Sequence, residues 1–158
     1  MIENYLDILA DSLQKKSIVL DKIEDENNKQ AKMLKSDSFP YDEFDAAIDR
    51  KGELIEELTA LDDGFDALYQ RIREQLQDNR DKYKDQIAGL QKLVKEVTDK
   101  SVAVQAQEAR NKQLVEAAFA KEKSSVKFNK LNSKAAYGYY KNMSKGNVVI
   151  PQFMDKKK

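Results

Sequence analysis

Apolar residues recur along this chain at alternating steps of four and three, the signature of helices that meet along a seam. The first such run takes in Ile2, Leu6, Leu9, Leu13, Leu20 and Ile23, then continues in the same frame through Asn27 and Gln30 to Leu34. It is apolar at its start and polar near its end. The segment SDSFPY stops it near Lys35, because Pro40 disfavours helical backbone at Phe39. A second seam reads Phe44, Ile48, Ile55, Leu58, Phe65, Tyr69, Ile72 and Leu76, widened to a bundle stripe by Leu54, Leu61 and Leu68. Asp42 is placed to cap it, and Gly64 predicts a kink or a close contact inside it.

After a turn signal at Asp78–Asn79, a third seam runs Tyr83, Ile87, Leu90, Val94, Val97, Ser101, Val104, Glu108, Asn111, Val115 and Ala118. Ser101, Glu108 and Asn111 fall where a dry core wants leucine. That stretch therefore packs loosely, faces water or awaits a partner. Apolar spacing returns at Phe119, Val126, Phe128 and Leu131. The expected fold is all-α: an elongated antiparallel bundle, or coiled coil, of three long helices over about 2–35, 42–77 and 79–131. Residues 132–158 form a short, partly irregular tail broken by Gly138, Gly146 and Pro151.

Composition narrows the chemistry. Of 158 residues 35% are charged, with 5 Gly and 2 Pro, which suits long exposed helices. There is no His and no Cys, so the commonest general base, the commonest nucleophile and the softer metal ligands are missing. No catalytic or metal-binding set is expected, no cofactor, and no enzyme. Paired acids such as Glu56–Glu57 and Asp62–Asp63 fit a solvated helix face.

The 28 basic and 28 acidic residues cancel, and they interleave along the helices rather than forming a phosphate-tracking stripe. Nucleic acid is not an expected partner. No apolar run approaches the roughly 20 residues that span a bilayer, and the acidic start MIENYLDILADSLQKK is unlike a signal peptide, so membrane insertion is not expected and the location expected is the cytoplasm. Charge is nonetheless uneven. Lys134, Lys141, Lys145, Lys156, Lys157 and Lys158 oppose only Asp155 in the tail, leaving the tail basic and the remainder acidic. The tail is also sticky, with Tyr137, Tyr139, Tyr140, Met143, Val148, Val149, Ile150, Phe153 and Met154. It either straps its own bundle or docks a partner, since Tyr and Met suit adaptable interfaces.

Because the third helix is expected to run on past the first two, its last turns lack a full set of partners. They should seek a client helix, a second copy or the chain's own tail. The candidate protein-binding residues are Val115, Phe119, Val126, Phe128, Leu131, Tyr137, Tyr139, Tyr140, Met143, Val149, Ile150 and Phe153.

Several stretches resemble the bacterial flagellar export chaperones of the FlgN type. KGELIEELTALDDGFDALYQRI has their K-x-x-L-I-x-x-L-x-x-L cadence. Asn111, Leu114 and Val115 repeat an Asn-x-x-Leu/Val arrangement, and AAYGYYKN followed by PQFMDKKK is similar to their closing segment. The richer Tyr-Gly-Tyr-Tyr stretch and the Val-Val-Ile-Pro-Gln-Phe run depart from the usual pattern. The resemblance implies a cytoplasmic type III secretion chaperone that binds helical termini of hook-filament junction proteins. Such a protein prevents early assembly and delivers the client to the export apparatus, a second partner. In that family the client meets the carboxyl-terminal part, here Phe119 to Phe153. The alternative is a structural or adaptor coiled-coil protein that homodimerises or binds an acidic regulatory partner.

Overall fold

A computed structural model describes residues 2–122, with side chains to residue 118. Three long helices fill it: α1 (Ile2–Leu34), α2 (Tyr41–Asp78) and α3 (Lys84–Glu122). Among the described residues there is no strand. The all-α expectation holds, and the first two helices end within a residue of where the seams place them. The expected tail, 132–158, lies outside the described residues, as does 123–131 of the expected third helix.

Both connections are short and closed by backbone hydrogen bonds. At the end of α1 the Lys35 amide donates to the Ala31 and Lys32 carbonyls, each at 3.2 Å, tightening the last turn. Pro40 then takes the N-cap position of α2 and makes no side-chain cap. The expectation that Asp42 caps this helix is corrected: Asp42 sits with Glu43 in the first turn, where carboxylates oppose the positive end of the helix dipole. The entry is fixed instead by an apolar clasp across the cap. The Phe39 ring lies 5.1 Å from that of Phe44, four residues past the cap, and 4.7 Å edge-on from Tyr41.

The third helix starts at Lys84, not at residue 79. Asn79 turns the chain, donating its amide to the Leu76 carbonyl at 3.1 Å and its Nδ2 to the Gln75 carbonyl at 2.7 Å. Residues 79–83 are spent on that turn, and buried Tyr83 anchors it in the core.

Side-chain pairings define the register. Lys16 meets Asp62 and Asn27 meets Lys51, so α1 and α2 run antiparallel. Ser17 meets Lys100 and Asn27 meets Asn111, so α1 and α3 run parallel. The helix α1 packs closely along both others, whereas α2 and α3 approach each other only marginally at backbone level. Leu6, Leu9, Leu13, Leu20 and Ile23 consequently share one core with Ile55, Leu58, Phe65, Tyr69, Ile72 and Leu76 of α2. From the α3 side Tyr83, Ile87, Leu90, Val94, Val97 and Val104 complete it. Each fully buried aliphatic side chain there contributes about 1.5–3 kcal/mol.

Gly64 neither breaks α2 nor marks a close contact. The helix runs unbroken through it, and an added Cβ would meet nothing within 4 Å. Gly64→Ala should therefore stabilise the bundle by about 0.5–1 kcal/mol through helix propensity alone, read as a rise in thermal midpoint of a few degrees.

A second expectation concerns alkali. Burial pushes the Tyr69 phenol up to about 12, against the opposing pull of Arg73. A phenol that ionises later in the folded than in the unfolded chain supports stability fully below its ordinary value near 10 and loses it as pH climbs toward the folded value. Stability should fall between about pH 10 and 12. Tyr69→Phe should remove that part of the fall, measured by urea unfolding across the range.

Candidate functional site

The polar positions of the three seams are brought to one level of the bundle. Asn27 and Gln30 face inward from α1, Lys51 from α2, and Glu108 and Asn111 from α3. Lys51 is only 5% exposed. A buried ammonium needs a partner for each of its three protons. It has them: Nζ donates to Asn27 Oδ1 at 2.9 Å, to Gln30 Oε1 at 2.9 Å and to Glu108 Oε2 at 2.5 Å.

The rest of the layer is satisfied in turn. Asn27 Nδ2 donates to Gln107 Oε1 at 3.2 Å, and Asn111 Nδ2 donates to the Asn27 carbonyl at 3.0 Å. Gln107 also donates through Nε2 to Asn28 Oδ1 at 3.0 Å. On the flank, Arg50 grips the Glu26 carboxylate with two nitrogens, each at 3.0 Å. The hydrogen bond from Arg50 to Glu26 holds its proton more firmly than usual. The thin stretch of the third seam is thus neither loose nor open to water. Ser101 and Asn111 are buried, and Glu108 is half-buried against Lys51.

A second buried lysine lies deeper along α1. Lys16 Nζ sits 2.5 Å from Asp62 Oδ1. Burial pushes the Asp62 carboxyl above the ordinary aspartate range, more than the Lys16 charge and hydrogen bond pull it back. Lys100 bridges α3 to Ser17 at 2.7 Å and to Asp21 at 2.9 Å. Neither Lys16 nor Lys51 is apparent from apolar spacing, although both occupy seam positions, between Leu13 and Leu20 and between Ile48 and Ile55.

Of the expected protein-binding residues, the structure places Val115, half-buried on α3 beside half-buried Leu114 and Ala118. Phe119 lies on α3, its side chain outside the described set. Val126, Phe128, Leu131, Tyr137, Tyr139, Tyr140, Met143, Val149, Ile150 and Phe153 lie outside the described residues. Since Asn27 lies against Asn111, the same offset puts Leu34 level with Ala118. The last described turn of α3 therefore passes the end of α1, by about 6 Å at 1.5 Å per residue.

The groove between α1 and α2 is lined by Lys22, Asp25, Glu26, Lys29, Arg50, Glu53, Leu54 and Glu57, an interleaved set of three basic and four acidic groups. No group of three or more His, Cys, Asp or Glu among the described residues could hold a metal ion. Among them, no helix is long and apolar enough to cross a membrane. Comparison with protein-family models, with curated proteins and with solved structures finds no match to this chain.

The Lys51 layer makes a strong demand on its members. Lys51→Met removes one ion of a nearly buried pair and strands Glu108, Asn27 and Gln30, so it should cost about 2–4 kcal/mol in chemical denaturation. Lys51→Met combined with Asn27→Leu, Gln30→Leu, Glu108→Leu and Asn111→Leu should recover most of that loss, because the desolvated groups leave together.

Proposed function

We propose that this protein is a cytoplasmic, non-enzymatic export chaperone that receives the helical terminus of a flagellar hook-filament junction protein and holds it until secretion. The observation that supports this most directly is at the distal end of α3. There Leu114, Val115 and Ala118 are only half covered, at the level where α1 reaches its end at Leu34. An amphipathic client helix laid against the half of that face that α1 leaves open would continue beyond the end of α1 and lengthen the bundle with a foreign helix. The resemblance of KGELIEELTALDDGFDALYQRI and of the closing Tyr-rich segment to the FlgN type supports the choice of client class. A mostly apolar contact made through a few turns also suits a complex that must later be released, since its affinity rests on few anchors.

Isothermal calorimetry of the full chain against a panel of junction and filament proteins, at two salt concentrations, tests the reading. Micromolar binding to a junction protein that tolerates salt is expected, because apolar contact is not screened. Val115→Asp should weaken it at least about tenfold with helicity unchanged, as a charge is forced into the apolar contact. Absence of binding to every member of the panel by the unaltered chain overturns the assignment.

A further inference from the structure

The polar layer cuts the apolar interior in two. On one side lies the continuous core from Leu6 to Ile23, Ile55 to Leu76 and Tyr83 to Val104. On the other, Phe44, Ala47 and Ile48 are as deeply buried, at 2%, 0% and 7% exposure, yet stand apart from that core. Between them sit Asn27, Gln30, Lys51 and Asn111, buried, with half-buried Glu108. Apolar burial couples neighbours because opening one exposes the next. A belt of hydrogen-bonded groups carries less of that coupling, since water can take over its bonds once the layer parts.

We infer that the Lys51 layer divides the bundle into two cooperative units, and that the distal unit opens while the main core stays closed. The distal unit comprises the last turns of α1 beyond Asn27, the 35–40 connection, α2 up to Lys51 and α3 beyond Glu108. Its interior rests on three apolar side chains of α2 and on the clasp of Phe39 with Phe44. The marginal approach of α2 to α3 removes the backbone packing that would otherwise brace the two against each other. Lys51 is the latch: its ammonium joins all three helices at one point. When it lets go, α2 and α3 can each leave α1 at this end. The inference stands apart from the identity of any client.

Native-state hydrogen exchange of the full chain, followed amide by amide by NMR, tests this. Amides of Gln30–Leu34, Phe44–Ile48 and Asn111–Leu114 should share one opening and exchange at least about 100-fold faster than those of Leu9–Leu20, Leu58–Ile72 and Leu90–Val97. The change should come as a step at the layer. Lys51→Met raises only the closed state and should speed both sets of amides. Val97→Ala in the main core should speed the core amides by about tenfold or more and leave the distal amides unaltered, because that core stays packed when the distal unit opens. The five-site apolar replacement should erase the step. A smooth rise in rate toward the 35–40 connection would mean simple fraying and overturns the inference. So does equal acceleration of both regions by Val97→Ala, which would make the bundle a single unit.

Discussion

A lysine ammonium buried in a helical bundle is among the costliest groups a small fold can carry, and its position constrains everything around it. Lys51 can be accommodated only where three acceptors converge, and here they arrive from two different helices. Asn27 and Gln30 lie one turn apart on α1, so that helix must present that face to α2 at that height. Glu108 then sets the height of α3. Sliding any helix by a turn would leave the ammonium short of partners while the leucine seams, which repeat, could still mesh. Apolar packing supplies the bulk of the stability, and the polar layer selects one register among several that packing alone would tolerate.

Much of this architecture is legible in the residue pattern, because alternating steps of four and three give helix, face and approximate length together. What escapes is pairing between seams. Asn27 and Gln30 on one, and Glu108 and Asn111 on another, look like flaws when each run is taken alone. They become partners only once the register is known. The spacing does carry a trace of them: the seams skip from Leu13 to Leu20, from Ile48 to Ile55 and from Leu58 to Phe65, and the vacant positions hold Lys16, Lys51 and Asp62. Lys16 and Asp62 answer each other across the interface. A charged residue at an interior heptad position is a question that another helix has to answer.

Local signals mislead for equally physical reasons. Asp42 has the chemistry of a cap, but Pro40 and the Phe39–Phe44 contact already settle where the backbone turns helical, leaving the carboxylate two positions past the cap. Gly64 lies on the outer surface of α2, where a missing side chain neither opens space for a neighbour nor interrupts the hydrogen-bond ladder. As for the candidate binding residues, apolar spacing puts Val115 on the seam of α3, and it lies there half covered. The polar layer just above it carries no apolar signal, so periodicity sets its members on separate seams without pairing them.

The central role of α1 bears on how the chain reaches this state. Its close contacts with α3 join residues such as Ser17 with Lys100, 83 apart, and Asn27 with Asn111, 84 apart. The neighbouring pair α2 and α3, joined by the short 79–83 turn, adds little close backbone packing, although the two share the core and the Lys51–Glu108 ion pair. About half of the close inter-helix packing therefore joins residues some 80 apart, unlike an up-and-down bundle in which each helix leans chiefly on the next. Closing so long a chain segment costs entropy before any packing is gained. On the ribosome, the helix made first exposes one apolar face until almost the whole bundle sequence has emerged. The α1–α2 hairpin can assemble early, but it carries half a core until α3 arrives.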